Sequence, residues 1–315
     1  MVMISIGGEN LIDLVSTKND ENGLPRYIAN PGGSPLNVAI AAGRQGQRTS
    51  YLTPVSEDAL GCLIAERLIE SSVTLAAPRV HFPTSLAVVS ITEGIPSYAF
   101  HRNATAERQV SLQGLERTMA TDTSLFHVGS LGLIDGNDAI AWESFFEKCH
   151  NQGIVTSLDP NVRPGLITER KKYSERIRRM MQHADIFKLS DEDLAWLYPD
   201  KTLEDALRDC RADFGDGLFI LTMGGDGSLL FFEKIEVSIA TPNINNLADT
   251  IGAGDTYMAT ILCCLMENGL ISHSDFSKID KTILENVGLM AAKAAAINCQ
   301  RSGCNPPWRE ELLNI

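Results

Sequence analysis

The chain has 315 residues, 44% apolar and 21% charged, ordinary proportions for a globular protein with a large core. That excludes a collagen-like, low-complexity or disordered chain, and the length alone suggests about two domains, though one large α/β domain fits as well. With 27 Lys and Arg against 40 Asp and Glu, the formal charge of −13 makes the chain a poor candidate for binding nucleic acid or an anionic membrane.

Residues 2–6 read as an apolar strand buried on both faces. Residues 11–28 follow as short apolar pieces around a polar loop, with no helical period. Ser34 and Pro35 open a helix to about residue 45, Ser as N-cap and Pro as the first helical residue. Leu60, Leu63, Ile64 and Leu68 predict a helix over 57–71. Two strand-like runs, 86–91 and 98–101, are joined by Glu93-Gly94-Ile95-Pro96, a hairpin signal. Further strands at 124–128, 154–159, 186–189 and 218–222 alternate with helices at 139–152, 169–183, 191–198 and 203–214. The alternation predicts an α/β fold: a doubly wound, mainly parallel sheet with helices on both faces. The stretches without helices form either a small separate sheet or an antiparallel extension of the main one.

Seven cysteines without C-x-x-C spacing read as free, mostly buried thiols. The first eight residues lack a basic region, and the longest apolar run, 257–266, is too short to span a bilayer. Both point to a cytoplasmic protein. There is no P-loop, no G-x-G-x-x-G after the first strand, no H-E-x-x-H and no G-x-S-x-G.

The segment richest in chemistry is Asp249-Thr250-Ile251-Gly252-Ala253-Gly254-Asp255, followed by a helical stripe of Tyr257, Met258, Ile261, Leu262, Leu265 and Met266. Small residues at Gly252, Ala253 and Gly254 let backbone N–H groups point outward at a helix N-terminus, which suits an anion. A carboxylate beside a bound phosphoryl group can orient a hydroxyl and take its proton. A Gly-rich turn with Asp as a helix cap is the plainer alternative.

That segment resembles the C-terminal signature of the ribokinase-like, phosphofructokinase-B type sugar kinases. Pro31-Gly32-Gly33-Ser34-Pro35-Leu36-Asn37 resembles their N-terminal signature. Val55-Ser56-Glu57-Asp58, Asp159-Pro160-Asn161-Val162-Arg163, Thr222-Met223-Gly224-Gly225-Asp226-Gly227, the stretch 291–304 and the Pro306-Pro307 tail extend the likeness over nearly the whole chain.

The resemblance implies roles. Asp255 would be the base, and the amides of Gly252, Ala253 and Gly254 would hold the transferring phosphoryl group. Asp13, Gly32, Gly33, Asn37, Arg102 and Arg163 would meet the sugar, with Arg102 reaching from a lid. Lys188, Thr222, Gly224, Gly227 and Asn298 would border ATP. The family's N-x-x-E reads Ser190-Asp191-Glu192-Asp193 here, leaving Asp193 as an indirect Mg²⁺ contact. Asp249 and Ile251 stand where several relatives bind K⁺. The implied architecture is a large α/β domain of residues 1–9, 32–83 and 107–315 with a β lid of 10–31 and 84–106. The implied reaction is phosphoryl transfer from MgATP to a primary hydroxyl of a monosaccharide, fructose first. The alternatives are 2-keto-3-deoxygluconate, then ribose or a nucleoside. A catalytically silent sugar-binding regulator is the non-enzyme alternative, against which the intact Gly252 to Asp255 segment argues. The resemblance also implies a homodimer paired through the lid.

Overall fold

The computed structural model describes residues 2–17, 19–92, 95–244 and 246–313. In chain order the first strands are β1 (Met3–Gly7), β2 (Leu11–Ser16), β3 (Tyr27–Gly32), β4 (Thr49–Tyr51), β5 (Val73–Leu75), β6 (Leu86–Thr92) and β7 (Ile95–His101). They are followed by β8 (Thr123–Gly129), β9 (Val155–Asp159), β10 (Ile186–Ser190), β11 (Leu218–Thr222), β12 (Ser228–Phe232) and β13 (Ile235–Ile239). The first five helices are α1 (Ser34–Arg44), α2 (Ala59–Glu70), α3 (Leu112–Thr118), α4 (Gly136–Asn151) and α5 (Arg170–Met181). The rest are α6 (Asp191–Leu197), α7 (Leu203–Phe214), α8 (Ala253–Glu267), α9 (Lys281–Cys299) and α10 (Arg309–Leu313).

Nine strands form one sheet in the order β13-β12-β11-β10-β9-β8-β1-β4-β5. Its pairs are parallel from β11 to β5, and β12 and β13 add an antiparallel edge. Alternate strand residues feed opposite faces, as a period of two requires. Leu125, Leu218 and Ile220 pack with α1, α8 and α9, whereas Phe126, Phe219 and Leu221 pack with residues of α4, α5 and α7. Both faces are therefore covered, which is why the central strands read as continuous apolar runs. No helix among the described residues is long and apolar enough to cross a membrane. All seven cysteines are free.

A second sheet of four strands, β3-β2-β6-β7, stands apart, so an antiparallel extension of the main sheet is not what forms. Its hairpin is longer than the sequence suggests: Thr92 pairs with Ile95, and Pro96 is accommodated because β7 is an outer strand. Glu93 and Gly94 of the expected turn lie outside the described residues. Strands β4 and β5, three residues each, were not anticipated, because so short a run shows no period.

The start of α1 differs from expectation. Gly33, at φ 115°, is the N-cap, while Ser34 and Pro35 are the first helical residues. The Ser34 hydroxyl is engaged elsewhere, in the site described next.

Candidate active site

The carboxyl ends of β1, β8, β9, β10 and β11 open on one side of the large sheet. The chain leaves β1 toward β4 and β5, then returns to build β8 to β11 on the other flank, so β1 marks the topological switch point. Glu9, just past β1, holds this crevice together. It is 1% exposed. Its carboxylate accepts the N–H of Ser34 at 2.9 Å and of Gly132 at 3.4 Å, and its carbonyl accepts the Tyr51 hydroxyl at 2.8 Å. Burial pushes the Glu9 carboxyl up, with Arg102 acting against the rise.

Asp255 enters from the first turn of α8. Gly252 caps that helix in the left-handed region, at φ 74°, where a Cβ would fall 2.3 Å from Cys304 Sγ. Of the three amides expected to form the anion nest, that of Ala253 donates to Thr250 O at 3.2 Å. Those of Gly252 and Gly254, with that of Asp255 itself, have no protein partner among the described residues. The Asp255 carboxylate is 7% exposed. Its Oδ1 accepts from Ser34 Oγ at 2.7 Å and its Oδ2 from Asn37 Nδ2 at 2.8 Å. Burial pushes its pKa up, Asp159 adds to the rise, and the two hydrogen bonds act against it. Asn37 Oδ1 is buried without a partner among the described residues, an acceptor available to a substrate hydroxyl.

Lys188, on β10, donates to Asp159 Oδ2 at 2.6 Å, both side chains being buried. Burial alone would lower the Lys188 pKa, but Asp159, Asp193 and Asp255 outweigh it and keep the ammonium charged. Asp193 Oδ2 accepts Ser190 N at 3.1 Å, and Ser190 Oγ accepts Asp193 N at 3.1 Å, a capping box that starts α6. Asp193 Oδ1 accepts Val162 N at 2.7 Å. Each oxygen of the expected Mg²⁺ contact thus already braces main chain. Burial, then Asp159, raises its pKa.

Asp13 lies on β2 of the small sheet. It fits only because Gly32 has no side chain: a Cβ there would come 2.2 Å from Asp13 Oδ2. Burial pushes the Asp13 carboxyl up to about 6, with the Arg163 charge acting against it. Arg163 is exposed, and its Nη1 donates to Asn161 Oδ1 at 2.6 Å.

Two of the expected ligand contacts have partners within the chain. Arg102 pairs through its Nε and Nη2 with Glu107 at 2.8 and 3.1 Å, and the pair is buried. The carboxylate in the turn directly after β7 captures the guanidinium. Asn298 is fully buried, donating to Ile251 O and accepting from Asn305 N, each at 2.8 Å. It braces the loop before α8 against the C-terminal segment. In that loop Asp249 accepts Ile251 N and Gly303 N, each at 3.0 Å. Thr222 ends β11 and makes a long hydrogen bond, 3.4 Å, to Leu189 O. Gly224 and Gly227 shape the turn beyond it, closed by Met223 N donating to Gly227 O at 2.8 Å.

Sequence reasoning overlooked the Ser34 hydroxyl, Glu9, Asp159 and Glu107. A signal existed for Glu9 and Asp159, which end or follow predicted parallel strands on the carboxyl side, where α/β sheets bind ligands.

The fructokinase of Rhizobium leguminosarum bv. trifolii is 33% identical over 292 residues, 90% of this chain and 86% of that one. Probable fructokinase-4 of Arabidopsis thaliana is 27% identical over 317 residues, 98% and 94% of the two chains. The crystal structure of Xylella fastidiosa fructokinase with bound ATP superposes with a TM-score of 0.88 at 22% identity, covering 99% and 97%. That of Vibrio cholerae O395 fructokinase with fructose, ADP and calcium gives 0.81 at 22% identity, covering 96% and 94%. At these identities the structures establish the ribokinase-like fold. The pfkB family carbohydrate kinase profile matches residues 3–311, and the chain belongs to that family of enzymes.

Proposed function

We propose that this carbohydrate kinase is an ATP-dependent fructokinase, phosphorylating a primary hydroxyl of fructose. The observation that carries the reading is the Asp255 carboxylate, held by Ser34 and Asn37 beside the unpartnered amides of Gly252 and Gly254. The fructokinase relatives supply the sugar.

Asp255 takes the proton of the hydroxyl as its oxygen attacks the γ-phosphorus. The new O–P bond forms as the bond to the β,γ-bridging oxygen breaks, and ADP leaves with those electrons. A buried carboxylate with a raised pKa is a better proton acceptor than one in water. The amides of Gly252 and Gly254, at the positive end of α8, hold the charge on the phosphoryl oxygens. Lys188 carries a fixed positive charge toward the nucleotide phosphates, and Thr222 with the Gly224 to Gly227 turn borders them. Gly32, Gly33, Asn37 and Asp13 hold the sugar, and Arg163 approaches it from the large domain.

The donor set near the phosphates fits a hard divalent cation. Asp159 and Asp193 offer oxygen only, and with Asp255 they outnumber Lys188 in charge. Mg²⁺ bound there with ATP would supply charge neutralisation of the β- and γ-phosphate oxygens. The Asp249 carboxylate and Ile251 carbonyl are the oxygens we assign to a K⁺ ion.

The small sheet, residues 10–31 and 84–106, acts as a lid over the larger domain, excluding water from the phosphoryl group. Its exposed Leu24, Tyr27 and Ile28 support pairing into a homodimer, which sedimentation velocity tests. Seven free thiols and the need for ATP support a cytoplasmic location.

ADP release measured with fructose, 2-keto-3-deoxygluconate, ribose and adenosine tests the assignment. Fructose should give the highest kcat/KM. The Arg163 guanidinium beside Asp13 favours the acidic sugar as the second reading, and faster turnover of 2-keto-3-deoxygluconate would replace the first with it.

A further inference from the structure

Three of the six histidines of the chain, His150, His183 and His273, gather at the amino end of the central strands, opposite the catalytic crevice. They come from separate elements. His150 lies in the last turn of α4, His183 follows α5, and His273 opens the 3-10 turn His273–Lys278. Asp185, the residue before β10, faces two of them. Its Oδ2 is 3.6 Å from His150 Nδ1 and 3.2 Å from His273 Nε2. The three ligand atoms all lie within 4.8 Å of one another.

His150 Nδ1 is shielded from solvent and has no hydrogen-bond partner among the described residues, although it faces a carboxylate. A separation of 3.6 Å is too long for a hydrogen bond between them. It is close to the ligand–ligand edge of a tetrahedral zinc site, about 3.4 Å for bonds of 2.0–2.1 Å. The Asp185 carboxylate is held in place facing the two rings, Thr156 N and Thr156 Oγ1 donating to its Oδ2 at 2.7 and 2.9 Å. The side chains are 28%, 13% and 37% exposed for His150, Asp185 and His273, so an ion has a path in and water can complete the shell.

We propose that His150, Asp185 and His273 form a binding site for a zinc-class divalent transition metal, with water as the fourth ligand. Two imidazole nitrogens and one carboxylate oxygen suit Zn²⁺ or Co²⁺ and are a poor set for the Mg²⁺ of the kinase reaction. The ion cross-links the end of α4, the entry to β10 and the 273–278 turn. It is independent of phosphoryl transfer, because Asp185 precedes β10 whereas Ser190, at the far end of that strand, borders the crevice.

Isothermal titration of the metal-free full chain with Zn²⁺, without nucleotide, tests this, together with visible absorption on adding Co²⁺. The expected result is one Zn²⁺ per chain, tetrahedral Co²⁺ bands without a thiolate charge-transfer band, and a higher Tm with Zn²⁺. His150→Ala and His273→Ala should each weaken binding at least tenfold and abolish the Tm rise. If His150→Ala does not fold, His273→Gln, at the most exposed of the three side chains, carries the comparison. Absence of stoichiometric Zn²⁺, undiminished affinity in the His273 variants, or a thiolate band showing binding at cysteine would overturn the site.

Discussion

Ser34 Oγ donates a 2.7 Å hydrogen bond to Asp255 Oδ1, joining residues 221 positions apart in the chain. This bond stabilises the charged carboxylate against burial. Ser34→Ala should therefore raise the Asp255 pKa, moving the acid limb of the kcat profile to higher pH and lowering kcat about tenfold. An unmoved acid limb would show that the hydroxyl does not act through Asp255.

Asp255→Asn keeps the shape of the side chain and removes the proton acceptor. The kcat should fall by about three decades, since general bases contribute roughly 10²–10⁴-fold. Thermal unfolding should show a folded variant of equal or higher stability, because the buried charge is gone. Wild-type turnover by the variant would refute the mechanism.

Asp13, raised to about 6 from 3.8, binds more protons in the folded than in the unfolded chain between those pH values. Its ionisation therefore costs stability that is lost as pH rises through that window. Asp13→Asn should stabilise the unliganded protein above pH 6 by about 1–2 kcal/mol, given ~1.4 kcal/mol per pKa unit and partial solvent screening. The same variant should raise the KM for sugar at least tenfold while that for ATP stays constant. Denaturant titrations at pH 4 and pH 8, with steady-state kinetics, check both statements.

Gly252→Ala puts a Cβ 2.3 Å from Cys304 Sγ on a backbone with φ 74°. The cost should be about 1–3 kcal/mol in stability, with a lower kcat as the amides shift. Cys304→Ala in the same chain should recover only part, because the Cβ of residue 304 is itself 2.7 Å away. Full recovery would mean that backbone strain contributes nothing.

Lys188→Met leaves Asp159 buried without its partner, and removing one member of such a pair costs about 3–5 kcal/mol. Adding Asp159→Leu should restore much of the stability and none of the activity. Chemical denaturation of the single and double variants, read as a cycle, tests the coupling.

The doubly wound sheet was legible because its strands are buried on both faces, and a buried strand must be apolar throughout. Strands 218–222 and helix 203–214 coincide with β11 and α7 to the residue. The short β4 and β5 were not legible, since each takes its place by pairing with neighbours already in the sheet. The Gly252 to Asp255 motif was visible as chemistry, because a helix start with small residues and a carboxylate is a local pattern.

Local pattern could not show which donor meets which acceptor. Ser34 reads as an N-cap because Ser before a Pro usually is one, yet Gly33 takes the cap and frees the hydroxyl for Asp255. Arg102 reads as a free lid charge, and Glu107 claims it. Asn298 reads as a ligand contact, and its amide also ties two loops together. By itself the sequence determined the layered α/β fold, the small-residue helix start and the carboxylate within it, since each follows from periodicity or a few adjacent residues. Only the tertiary structure decided the partners of the buried polar groups. Removal from water obliges each such group to find a mate, and distant segments supply it.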